Sequence, residues 1–131
     1  MKELDVSRYA DIPFAEKGRG MTGCDCWGIP YLIYRDMLGI ELPAYTEQYQ
    51  NTEDRKELAR LTCNEKSAWC EVETPIPYDI VLMKIIGHPC HVGVVIGGGR
   101  FIHCMRDSGT TVEKLNSILW RDRIVGFYRR K

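Results

Sequence analysis

The chain lacks any apolar run approaching the roughly 20 residues that a membrane span requires, so no membrane-spanning partner role is expected. Its opening stretch, MKELDVSRYADIPF, lacks the apolar centre of a secretory signal, and cytoplasmic synthesis without a signal peptide is expected. Net charge is missing too: 18 Lys and Arg balance 18 Asp and Glu. That balance leaves no field to gather nucleic acid, and no nucleic-acid partner is expected. Residues 120–130, WRDRIVGFYRR, form a basic stretch, but arginines interleaved with Ile124, Val125, Phe127 and Tyr128 read as the solvent face of an edge strand. Six cysteines in 131 residues are too sparse for a disulfide scaffold and are read as free thiols. Repeats, low-complexity tracts and Pro/Gly/Ser linkers are absent. The length fits a single domain, residues 1–131, able to bury a core without staples.

What is present divides into a helical half and a β half. Residues 3–23 read as a lead-in, rich in small residues before Cys24. Residues 26–38, CWGIPYLIYRDML, carry Ile29, Leu32, Ile33 and Met37 at helical spacing. Asp25 is a suitable N-cap, Pro30 falls near the first turn, and Gly39 is a stop. Residues 40–50 read as irregular, and TEDRKELARLTCNE as a second helix with a solvated charged face. From residue 77 onward the pattern is β: IVLMKI, HVGVVI, FIHCM, TVEKL and RIVGFYR, joined by short connections. The expected fold is α+β, one main helix packed on an antiparallel meander of five to six strands.

The chemistry gathers around GMTGCDCWG, residues 20–28. Cys26 falls at the start of the helix behind Asp25, where free N–H groups and the helix dipole favour a thiolate and can hold an oxyanion. Cys24 precedes the helix and reads as buried filler, as do Cys63, Cys70, Cys90 and Cys104. A thiolate needs a base, and His91 opens the strand HVGVVI while His103 lies in FIHC. A three-residue loop, Gly97–Gly99, pairs Ile96 with Arg100 and sets His103 opposite Gly93, on the face that carries His91. The two rings then become diagonal neighbours, roughly 7–8 Å apart at Cα. A two-residue loop would put them on opposite faces. His91 is the candidate base and His103 its orienter. His88, before Pro89, reads as a loop residue.

The order of these motifs resembles the NlpC-type cysteine peptidases of papain-like fold, and most nearly their phage-encoded branch of tail-assembly and tail-tip proteins. YADIPF, GCDCWG, GIELP, HVGVVIGGGRFIHC and WRDRIVGFYR carry the likeness, which spans the chain apart from residues 44–75. The resemblance implies a papain-like fold and a cysteine amidohydrolase acting on peptidoglycan stem peptides, usually at the bond from D-γ-glutamyl to the diamino acid. It implies Cys26 as nucleophile, His91 as base, His103 as third polar residue, and no metal or organic cofactor. It further implies phage tail proteins as partners and a site of action at the cell wall within a virion. Trp27 follows the nucleophile where wall enzymes often carry serine, Phe14 stands for a common tyrosine, and Pro77-Tyr78-Asp79 for a usual Pro-Gly-Asp.

Two other classes compete. Cys24, Cys26, His88, Cys90, His91, His103 and Cys104 contain zinc-ligand types, but C-x-C and H-x-C-H are not usual knuckle spacings. A non-catalytic tail adaptor that only binds wall peptide would use the same fold. Among substrate contacts, Arg19 and Arg106 are candidates for a stem-peptide carboxylate, and Trp27 for an apolar wall beside the nucleophile.

Overall fold

A computed structural model of the chain describes residues 2–131. Strands β1 (Arg19–Gly20) and β2 (Gly23–Cys24) form a small hairpin ahead of helix α1 (Gly28–Ile33). Helix α2 (Arg55–Glu65) follows, then β3 (Trp69–Val72), β4 (Ile80–Ile85), β5 (His88–Gly97), β6 (Arg100–Met105), β7 (Gly109–Lys114) and β8 (Ile124–Arg130). Strands β3 to β8 make one antiparallel sheet in the order β3-β8-β4-β5-β6-β7. Strands β4 to β7 are the expected meander. β8 does not lie at the edge as its arginines suggested; it is inserted between β3 and β4, and β3 is the edge.

Helix α1 begins at Gly28, two residues later than the expected start at Cys26, and its second half widens into a π-type turn, Tyr34–Leu38, that stops at Gly39. Ile29, Leu32 and Ile33 are fully buried against Val92, Val94, Ile96, Ile102 and Cys104 of one sheet face. Val81, Met83, Val95 and Phe101 line the opposite face, which Trp120 covers. Cys24, Cys90 and Cys104 are buried as expected, whereas Cys63 and Cys70 are exposed.

Strand parity in the β5–β6 hairpin decides where the histidines point. The expected Ile96–Arg100 pair does not form; Gly97 pairs with Arg100 across a two-residue turn, Gly98-Gly99, with φ of +61° and +72°. A bulge between Val95 and Gly97 adds the residue that the shorter turn removes. Beyond the bulge Val94 pairs with Ile102, so the next step of the ladder sets Gly93 against His103. The loop length was misread, but the bulge restores the parity and both rings share a face. Gly93 itself is required by crowding: a Cβ there would stand 2.9 Å from Ile102 O and 3.2 Å from His103 Cβ. Tyr78 takes φ of +77° at the position where the resembling family usually has glycine. Its carbonyl accepts the Tyr34 hydroxyl at 2.5 Å, and the two rings meet edge to face.

Gly93→Ala should lower stability by about 1–3 kcal/mol, a fall of roughly 3–10 °C in Tm. Thermal unfolding checks this; an unchanged Tm would mean that β5 and β6 separate freely at this point.

Candidate active site

Asp25 fixes the start of α1. It is fully buried, and its carboxylate accepts the Gly28 N–H at 3.1 Å; it is not the N-cap expected, since that position falls to Trp27, whose side chain makes no capping bond, and Asp25 instead holds the turn that leads into the helix. The same carboxylate accepts the Lys17 N–H at 3.1 Å, the Arg19 guanidinium at 2.6 Å and the Tyr49 hydroxyl. Cys26 is the next residue, and among the described residues no acceptor takes its N–H or that of Trp27. These two donors stand at the mouth of the helix beside the sulfur.

The Val92 N–H favours ionisation of the Cys26 sulfur, yet burial, with the Asp25 charge next in weight, pushes its thiol up, well above the ordinary range. The expectation of a resting thiolate is therefore corrected. The helix start supplies donors, but burial and the neighbouring carboxylate outweigh them, and the sulfur rests as a neutral thiol. Cys26 and His91 line a common cleft of about 570 Å³ together with Thr52, Glu53 and Arg106.

His91 and His103 are buried, at 5% and 0% exposure, as neighbours on one face. His91 Nε2 lies 2.8 Å from His103 Nδ1, which leaves His91 Nδ1 as the free ring nitrogen. Burial pulls the His91 pKa down to about 3, with the His103 ring adding to the effect, so it rests as a neutral base. Burial also lowers His103, against the pull of Glu113. Trp120 stacks on His91 at 5.6 Å and meets His103 edge-on at 4.9 Å, shielding the pair from solvent.

The remaining sequence candidates separate. Arg19 was expected to bind a substrate carboxylate, and the structure contradicts this. Its guanidinium is spent on Asp25, Tyr49, the Gly18 carbonyl and, from both Nε and Nη2, the Ala44 carbonyl, and its side chain is 11% exposed. It neutralises Asp25. Arg106 lines the cleft: Nη2 meets Glu16 and Thr52 and lies 3.5 Å from Glu53, its guanidinium is 4.8 Å over the Phe14 ring, and 41% of the side chain is exposed. Trp27 packs beside Tyr45 and Trp69 and donates to the Pro43 carbonyl at 2.7 Å. With Leu58 and Leu61 these rings line an apolar cleft of about 760 Å³ that also reaches Cys26. Among the described residues no group of three or more His, Cys, Asp or Glu side chains could hold a metal ion. No helix among them is long and apolar enough to cross a membrane.

Sequence reasoning missed Tyr49, Thr52, Glu113 and Trp120. Glu113 was open to discovery, since it alternates with Thr111, the partner of His103. Tyr49 and Thr52 arrive from an irregular segment with no local signal.

The NlpC/P60 family model matches residues 11–129. The chain is 28% identical over 126 residues to the Escherichia coli K12 protein named murein DD-endopeptidase MepS/murein LD-carboxypeptidase, across 94% of this chain and 60% of the relative. It is 26% identical over 128 residues to the Bacillus subtilis gamma-DL-glutamyl hydrolase, across 95% of this chain and 28% of the relative. The chain thus spans 60% or less of the length of these curated relatives. Among solved structures, the NlpC/p60 domain of the peptidoglycan hydrolase SagA superposes with a TM-score of 0.63 at 17% identity, over 95% of this chain and 92% of that one. A Bacillus cereus ATCC 10987 NlpC/P60 protein gives 0.65 at 21%, over 91% and 35%.

Two outcomes follow from the site. Arg19→Met should cost about 3–5 kcal/mol of stability by leaving Asp25 buried without its counter-charge; a normal Tm would return Arg19 to the ligand candidates. His91 binds its proton far more weakly folded than at the ordinary 6.5. The unfolded chain therefore takes up the proton first, and stability present above pH 6.5 is lost as pH falls toward 3. Melting curves between pH 7 and 4 should slope more steeply for wild type than for His91→Gln, and parallel slopes would contradict the buried neutral ring.

Proposed function

The chain belongs to the NlpC/P60 family, and on that footing we propose that it is a cysteine peptidase that hydrolyses peptidoglycan stem peptides, residues 1–131 acting as one catalytic domain. The observation that carries this is His91, which lines the same cleft as Cys26 and has His103 2.8 Å behind it. In the reaction the Cys26 thiol passes its proton to His91 Nδ1 as the sulfur attacks the amide carbonyl carbon. The N–H groups of Cys26 and Trp27 receive the oxyanion. The imidazolium then protonates the departing amine nitrogen, the C–N bond breaks and a thioester remains. Water attacks it with His91 taking the proton, the C–S bond breaks, and thiol and carboxylic acid are released. His103 orients the base, Arg106 faces a stem carboxylate, and Trp27 forms the apolar wall.

The bond proposed is that from D-γ-glutamyl to the diamino acid. The family resemblance and the likeness to a protein named gamma-DL-glutamyl hydrolase support it. The chain is further proposed to belong to a phage or prophage tail, made in the cytoplasm and acting at the wall within the particle. YADIPF, the Trp27 after the nucleophile, and GIELP support that reading.

Incubation with uncross-linked and cross-linked muropeptides, read by mass spectrometry, tests the activity. Cleavage at D-γ-glutamyl bonds is expected. Products cut only at cross-links would move the bond assignment, and none at all would leave a wall-binding adaptor. Cys26→Ala should abolish hydrolysis with Tm nearly unchanged, and His103→Ala should cost less activity than His91→Ala. Retained turnover in Cys26→Ala would refute the nucleophile.

A further inference from the structure

The polar chain behind His91 does not end at His103. Glu113 of β7 lies two residues beyond Thr111, the partner of His103, and so shares the ring's face. Its Oε2 hydrogen-bonds His103 Nε2 and also accepts the Trp120 Nε1–H at 2.9 Å. The carboxylate side chain is 26% exposed, while the ring it meets is fully buried. Trp120 is itself 4% exposed, so both donors that converge on this oxygen are held in place by packing.

We propose that Glu113 is a positioning residue that sets the proton direction of the whole relay, so that His91 presents Nδ1, unprotonated, to the cysteine. The reasoning is one of donor and acceptor counts. An ionised carboxylate only accepts, so His103 must carry its proton on Nε2. Its Nδ1 is then a lone pair, and across 2.8 Å it can only accept. His91 must therefore donate from Nε2, which leaves Nδ1 as the basic nitrogen. Without an acceptor-only group at the far end, two neutral imidazoles in contact could point their protons either way, and half of those arrangements present N–H to the thiol. Glu113 removes that degeneracy. When His91 takes the thiol proton, the Glu113 charge lies two hydrogen bonds away and balances the imidazolium. Trp120 anchors the carboxylate by its indole N–H and closes both rings from water by its π-face. This deepens the peptidase reading and rests on it for the role of Cys26, although the proton arrangement itself can be read without any substrate.

The test is long-range ¹H–¹⁵N correlation of the histidine rings in the full chain at pH 7, in wild type, Glu113→Gln and Glu113→Ala. Alongside it, iodoacetamide alkylation of Cys26 is followed against pH by peptide mapping. Wild type should show both His91 and His103 as Nε2–H tautomers. Glu113→Gln keeps an acceptor oxygen but no charge; it should retain the tautomers and move the acid limb of Cys26 alkylation to lower pH. Glu113→Ala should lose the single tautomer and slow alkylation at pH 7 by roughly 10- to 100-fold, short of the loss seen when a carboxylate directly orienting a base is neutralised. A wild-type His103 protonated on Nδ1 would overturn the proposal, even if both variants failed to fold. So would tautomers and alkylation profiles unaltered in both variants, which would leave Glu113 a packing residue visible only in Tm. If the rings and alkylation respond as stated but no muropeptide is cut, the relay stands and the substrate assignment falls.

Discussion

The buried carboxylate of Asp25 is the constraint on which the site depends. It gathers a donor from the lead-in loop at Lys17, a guanidinium from β1 at Arg19, a hydroxyl from the cover segment at Tyr49 and the N–H of Gly28 at the start of α1. A charge taken wholly out of water is tolerated only when paired and hydrogen-bonded on every side. These four contacts meet that condition, and in doing so fix the turn that carries Cys26. The cost to chemistry is visible in the same place. Burial of the sulfur, and after it the same carboxylate, oppose its ionisation.

The proposed base comes from the other half of the molecule and is held just as firmly. β5, β6 and β7 contribute one member each, His91, His103 and Glu113, to a line of hydrogen bonds running across the sheet. Trp120 covers the line. Burial, with the His103 ring adding to it, keeps His91 neutral near pH 7 and weakens its hold on a proton, so the proposed transfer from Cys26 needs the imidazolium to be stabilised once it forms.

Much of this could be read in the residues themselves. Helical spacing from Ile29 to Met37 and five apolar strand runs announced the α+β fold. Asp25 before Cys26, and Gly93 between two histidines, pointed to the residues proposed for the site. The hairpin parity was right for a reason misjudged: a bulge at Ile96, not a third loop residue, keeps the rings together. What stayed hidden depends on distant partners. A short edge strand such as WCEV has too few residues to show alternation, and only its pairing with β8 defines it. Arg19 beside a nucleophile looks like a substrate ligand until burial reveals it as the counter-ion of Asp25. Glu113, in a strand of mixed polarity, reads as solvent face until the fold brings His103 and Trp120 against it.

The central claim is that Cys26, among six cysteines, is the sulfur matched to this relay. A γ-D-glutamyl fluoromethyl ketone, which forms a stable thioether with an attacking cysteine, measures it directly when the labelled chain is digested and mapped. Label should accumulate on Cys26 and be lost in His91→Ala. Equal or faster labelling of the exposed Cys63 or Cys70, or a rate at Cys26 indifferent to His91, would contradict it.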